Sequence, residues 1–232
     1  MSLRANRIPL ICALLLLAGA ASAETVEVAP GVQVTKRTYS APPDEQPFFG
    51  FIVKDAAQRA ADETFVKAMI EATGTREKAF GEASNRGWRA LSKGNAGEAA
   101  KRFNQAFLLG PEQSRVYHGF AAIVQLRFRD AGFAEELFGI ASKQANPLKT
   151  LNADYGRALL ISKRPREAQP VLEQAVKDTP DFGDAWVNLA WARLQNGDPA
   201  AACAAADEAV KQRPSRDAKI DLSAVRSSAE CK

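Results

Sequence analysis

Asp184-Ala185-Trp186-Val187-Asn188-Leu189-Ala190, followed by Gly197-Asp198, Ala202, Ala209 and Pro214, is the stretch that decides how the chain is read. Its small and apolar residues sit at helical spacing, stop at a Gly-Asp turn, resume, and end at a proline. The same pattern recurs upstream. The small residue of the first helix falls at Gly87, Ala121, Gly156 and Ala190, spaced by 34, 35 and 34 residues. An alanine follows at Ala99, Ala134, Ala168 and Ala202, then Phe103, Phe138, Leu172 and Ala206, then Ala106, Ala141, Ala175 and Ala209. Pro111, Pro147, Pro180 and Pro214 close the units. The second unit carries one extra residue, expected in its inter-helix turn, and another before its proline.

Such a unit holds two helices and two turns, and neither helix hides its apolar stripe alone, so the units must stack. Small residues let paired backbones approach, and Phe103, Phe138 and Leu172 fill the space beside them. The closing proline lacks an amide donor and cannot continue a helix. Gly94-Asn95 and Gly197-Asp198-Pro199 supply a stop, an N-cap and a first-turn proline.

The pattern resembles the tetratricopeptide repeat, with Trp186, Leu189 and Ala190 in that motif's tryptophan, leucine and small-residue slots. The third unit matches through Tyr155-Gly156 before Ala168. The first departs at Ala83, where the motif has an aromatic, and the second is longer. The expected fold is all-α, a helix-turn-helix repeat solenoid of four units over residues 80–216. A capping helix precedes it over residues 54–79, and a closing helix with Ile220, Leu222 and Val225 follows over residues 217–232. In the leading helix Ala57, Ala61, Phe65, Met69 and Ala72 form the expected apolar face. The resemblance implies a right-handed superhelix whose first helices line a concave groove for a protein or peptide partner. Trp88, His118, Gln125, Arg157, Asn188 and Trp191 are the residues expected to face it. The lysines of the carboxylate clamp that some members use are missing from those positions.

Outside the repeats, Arg4 and Arg7 precede an apolar run from Ile8 to Ala20 and the small exit Ala21-Ser22-Ala23, the form of an export signal cleaved after Ala23. Residues 1–23 are read as that leader, the remainder as periplasmic or secreted, with no stable membrane insertion after cleavage. Residues 24–53 form an extended N-terminal segment. Within it Val26, Val28, Val32 and Val34 alternate about Ala29-Pro30-Gly31 as a short hairpin. Phe48, Phe49 and Phe51 either plug the flank of the repeats, the preferred reading, or form a docking patch for a homo-oligomer. Cys203 and Cys231 remain once Cys12 leaves. They are read either as a disulfide, the favoured choice in an exported chain, or as a buried thiol and a free terminal one.

The chain has 232 residues, 46% hydrophobic and 25% charged, ordinary values for a globular protein. Its net charge of +4 falls to +2 without Arg4 and Arg7, too little for a nucleic-acid surface. One histidine and three cysteines leave little for a metal site or a histidine triad, and no phosphate loop or dinucleotide fingerprint occurs. No cofactor, metal or catalytic residue is expected. The alternative is an enzyme acting on envelope polymer through carboxylates of the N-terminal segment and leading helix, namely Asp44, Glu45, Asp55 and Asp62.

Overall fold

The computed structural model describes residues 24–232; the leader read at residues 1–23 lies outside the described residues. A two-stranded antiparallel hairpin, β1 (Thr25–Ala29) and β2 (Val32–Thr35), opens the chain, turning at Pro30-Gly31 as its alternation required. Two short 3-10 turns, Pro43–Glu45 and Pro47–Phe51, follow. Then come the helices α1 (Ala56–Thr73), α2 (Arg76–Ser92), α3 (Ala96–Leu109), α4 (Ser114–Ile123) and α5 (Ala131–Ala141). The remainder are α6 (Leu151–Ile161), α7 (Pro165–Asp178), α8 (Gly183–Gln195), α9 (Pro199–Lys211) and α10 (Arg216–Ser228). Helices pair as α2–α3, α4–α5, α6–α7 and α8–α9, and first helices of neighbouring units touch, α2 with α4 and α6 with α8. The fold is an all-α solenoid of helix pairs. No described helix is long and apolar enough to cross a membrane.

Each inter-helix turn contains one residue in the left-handed region: Gly94 (φ 74°), Arg129 (φ 55°), Lys163 (φ 58°) and Gly197 (φ 86°). Asn95, Asp130 and Asp198 then cap the second helices by accepting from the amides of Glu98, Phe133 and Ala201. The third unit uses Pro165 at the first helical turn instead. This common turn corrects the placement of the second unit's extra residue. It lies before Arg129, inside the helix, where Val124–Phe128 winds as a π-turn at the end of α4. A helix absorbs one extra residue in this way without disturbing the turn that follows.

The small-residue slots act by close approach. A Cβ added at Gly156 would lie 2.4 Å from Leu172 Cγ, and one at Gly87 would lie 2.9 Å from the Phe103 ring. Two apolar clusters result. One runs from the hairpin through α5 into α6; the other runs from α6 to α10, and Tyr155 touches both.

The capping helices depart from expectation in register. In α1, Phe65, Val66, Met69 and Ile70 pack on the first cluster, while Ala57, Ala61 and Ala72 are exposed. The face therefore turns toward Val66 and Ile70, because only the C-terminal half of α1 lies against the first unit. In α10, Ala218, Leu222 and Val225 are buried and Ile220 is exposed, on the opposite side of the helix.

The N-terminal segment straps itself across the first two units. Phe48 is buried, its ring centroid 4.8 Å from that of Phe120 and 5.3 Å from that of Phe107. The plug reading of the phenylalanines therefore describes the molecule, and the oligomer reading loses Phe48 from its patch. Phe48, Phe49, Gly50 and Phe51 all adopt left-handed backbone (φ 54°, 54°, 63° and 57°), which costs each non-glycine residue about 1–2 kcal/mol. Asn104 opposes that cost. Fully buried on α3, it accepts from the Phe49 amide (3.1 Å) and donates to the carbonyls of Gln46 (2.7 Å) and Asp44 (3.0 Å). The carboxylates weighed for catalysis also hold structure. Glu45 pairs with Arg127 (2.6 Å) and Lys101, Asp44 with Lys101, and Asp62 with Lys54, while Asp55 caps α1. The Arg127 hydrogen bond draws the Glu45 carboxyl below its usual range.

Substituting Asn104→Ala leaves one amide and two carbonyls of the segment without partners. The expected loss is about 2 kcal/mol of docking energy. Chymotrypsin cleavage at Phe48–Phe51 should then accelerate at least about tenfold, since 1.4 kcal/mol corresponds to tenfold in opening. An unchanged cleavage rate would show that Asn104 does not hold the strap.

Candidate binding groove

First helices of successive units lie side by side, so residues on their shared face form one surface. The six expected contact residues divide there into three groups. Trp88, Gln125 and Arg157 meet at a recess of about 170 Å³ between α2, α4 and α6. His118 and Asn188, expected at the groove surface, are buried instead. Trp191 packs on the α6–α10 cluster and does not line the recess.

Burial of His118 follows from its ring being sandwiched between units. Its centroid lies 4.7 Å from that of Trp88 and 5.7 Å from that of Phe138, and its Nε2 is 2.9 Å from Asp154 Oδ2. A carboxylate only accepts, so Nε2 carries the proton in that bond. His118 thus joins the second unit to the third and supports the recess from behind. Asn188 does similar work further along, with its Oδ1 accepting from Arg157 Nη1 at 3.2 Å. The same Arg157 nitrogen lies 3.1 Å from Asp221 on α10, so a guanidinium expected to face a partner already has an internal carboxylate.

The recess is apolar at its rim. Leu126 and Ile161 stand 58% and 53% exposed at its mouth, and Phe138 lines it. The indole Nε1 of Trp88 and the amide oxygen of Gln125 are buried without hydrogen-bond partners. Buried polar atoms are rarely left so. Asp154 reaches the same space with a side chain 42% exposed. Beside it, Tyr155 donates to Glu135 at 3.1 Å; burial and that carboxylate push the phenol up to about 12. Glu135 itself is held below the usual carboxylate range by Arg164. Among the described residues no three histidine, cysteine or acidic side chains gather as a metal site.

Leu126, Ile161 and Asp154 were absent from the sequence reading, although one signal pointed to the first two. Each stands five residues after its unit's small-residue slot, where the first unit has Ser92 and the fourth Gln195. Apolar residues at a position that tolerates polar ones elsewhere mark a local departure in surface character. The π-turn sharpens it. After the extra residue, Arg127 reaches Glu45, Phe128 stacks on Tyr39 with centroids 3.9 Å apart, and Leu126 is left facing outward. At the other end of the array Cys203 and Cys231 are bridged, with Cα atoms 5.4 Å apart, which realises the favoured of the two cysteine readings.

The family model described as tetratricopeptide repeat matches residues 153–217. No curated protein sequence matches the chain. Among solved structures, PilF of Pseudomonas aeruginosa is 21% identical, with 67% of this chain and 71% of that chain covered and a TM-score of 0.58. MamA of Desulfovibrio magneticus RS-1 is 19% identical over 65% of this chain and 85% of its own, with a TM-score of 0.51. YrrB, described as a TPR protein with an unusual peptide-binding site, is 19% identical over 73% and 85%, with a TM-score of 0.50. The third and fourth units thus match the tetratricopeptide repeat in sequence, and the array shares the fold of these solved structures.

Proposed function

We propose that this protein is an exported, non-enzymatic scaffold that holds a peptide or helix of a partner protein against the shared face of its first helices. The observation that carries the reading is the recess between α2, α4 and α6, where exposed Leu126 and Ile161 join Trp88 and Phe138 in an uncovered apolar surface. Exposed apolar side chains beside polar ones such as Asp154 and Arg157 suit a surface completed by another chain. The peptide-binding site named for YrrB supports the same use of this fold. Export is supported by the signal-like residues 1–23 and by the Cys203–Cys231 bridge, since disulfides persist in oxidising compartments.

The test uses photocrosslinking residues placed singly at Leu126, Ile161 and Gln195 on first helices, and at exposed Val210 on α9. Partner adducts are expected at the first-helix positions and not at Val210. Leu126→Asp combined with Ile161→Asp should weaken capture at least about tenfold, the loss of one well-packed apolar anchor. Adducts confined to Val210 would move binding to the second helices and end the groove reading. Recovery of the chain from the periplasm or medium beginning at Glu24 checks export; retention in the cytoplasm would overturn it.

A further inference from the structure

The groove reading leaves the partner's chemistry open, and the recess itself narrows it. We infer that the recess between α2, α4 and α6 is an anchor site for one large aliphatic side chain, leucine-sized, followed in the partner by lysine or arginine. The inference rests on the groove reading above and specifies what that surface selects.

Size comes first. About 170 Å³ is well below the roughly 300–1,000 Å³ of small-molecule sites, but it is room for one side chain. The walls decide the kind of side chain: Leu126, Ile161, Phe138 and the Trp88 ring offer apolar contact. Trp88 Nε1 is a donor and Gln125 Oε1 an acceptor, both buried and both without partners. Neither atom meets solvent, so an occupant touches the side chains that line the recess, and the Trp88 indole serves as their reporter.

Charge selects the neighbour. Two ionised groups line the recess, Asp154 and Arg157. The Arg157 cation is 3.1 Å from Asp221 and is thereby matched within the chain. Asp154 receives only His118, through Oδ2, and its carboxylate stays 42% exposed. The unmatched charge at the mouth is therefore negative, which favours an ammonium or guanidinium on the residue beside the anchor.

The chain contains three tryptophans, so a preparation labelled with 15N at the indole gives three N–H resonances, assigned by single Trp→Phe variants. Trp186 Nε1 already donates to the Pro180 carbonyl at 2.9 Å and serves as the internal reference. The probes are Ac-Ala-Leu-Lys-Ala-amide, Ac-Ala-Ala-Lys-Ala-amide and Ac-Ala-Leu-Gln-Ala-amide, titrated to millimolar concentration against the full chain. The first should move the Trp88 resonance and leave Trp186 in place, and the alanine peptide should leave both unmoved. The glutamine peptide should bind about two- to fivefold more weakly, the range of a partly exposed charge pair. Asp154→Asn, which keeps an acceptor for His118, should abolish that difference. A Trp88 resonance unmoved by the leucine peptides, or moved equally by the alanine one, overturns the anchor. Equal affinity of the lysine and glutamine peptides for the unsubstituted chain overturns the charge preference, whatever the fate of the variant. Partner crosslinks at Gln195 with Trp88 unmoved would discard the anchor and keep the groove. Crosslinks confined to Val210 discard the groove reading itself.

Discussion

Replacing Phe103 by alanine should lower the stability of the array by about 3–5 kcal/mol, the cost of emptying a fully buried aromatic site. Phe103 on α3 is wedged between Gly87 of its own unit and Gly119 of the next, and both backbones would clash with it if they carried a Cβ. Its ring also supports Trp88 edge-on, with centroids 5.3 Å apart, so its loss loosens the wall of the recess. No neighbour collapses easily into the space, because both facing positions are glycines.

The loss should be local as well as large. Repeat arrays are stabilised by contacts between neighbouring units, and the core here divides at α6 into two clusters. Hydrogen exchange should accelerate in α2, α3 and α4 while α8 and α9 keep their protection. Urea denaturation gives the size, and exchange measured segment by segment gives the place. Adding Gly119→Ala should recover part of the loss, since the ring that forbade its Cβ is gone. A loss below about 1 kcal/mol would refute the wedge, and so would equal acceleration along the whole array.

The second large effect belongs to the opposite end. Cys203 on α9 and Cys231 beyond α10 are 28 residues apart in sequence. Closing a loop of that length removes unfolded-state freedom worth about 3–4 kcal/mol. Reduction, or Cys231→Ser, should therefore release the C-terminal helix, whose Ala218, Leu222 and Val225 close the last unit. Exchange should rise in α10 and α9, with α2–α5 unaffected, the reverse of the Phe103 pattern. Thermal unfolding with and without reductant measures the total, and Cys203→Ser should match Cys231→Ser. If reductant leaves the transition in place, the bridge contributes nothing in solution. Arg157 makes this end relevant to the groove, because its Asp221 partner sits on the helix that would loosen.

The contrast between the two ends follows the contrast between local and distant information. Turn residues and small slots were legible because each acts within its own unit: Gly94, Gly197, Asn95 and Asp198 end or start helices through their own backbone or through an amide three residues away. Phe103, Phe138 and Leu172 were legible as filler because their partners recur with the same period. The valine alternation about Pro30-Gly31 announced the hairpin by the same kind of local rule.

Less legible was anything settled between units. Helical spacing places His118 and Asn188 on first helices, but their burial depends on Trp88 and Phe138 in one case and Arg157 in the other. Arg157 was expected to face a partner, and nothing near it in sequence reveals its contact with Asp221, 64 residues on. An extra residue was countable from the spacing of Ala121 and Ala134, whereas its absorption as a π-turn depended on Arg127 and Phe128 finding Glu45 and Tyr39.

The amino-acid order alone thus determined the period, the two-helix unit, the number of units and the glycine turns of the first and fourth, because those are set by interactions within about 35 residues of chain. Tertiary structure alone decided which polar atoms near the first helices are paired, which face of each capping helix is covered, and where the N-terminal strap docks. Exposure and hydrogen-bond satisfaction belong to the assembled surface, and each side chain's neighbours there are supplied by another unit of the array.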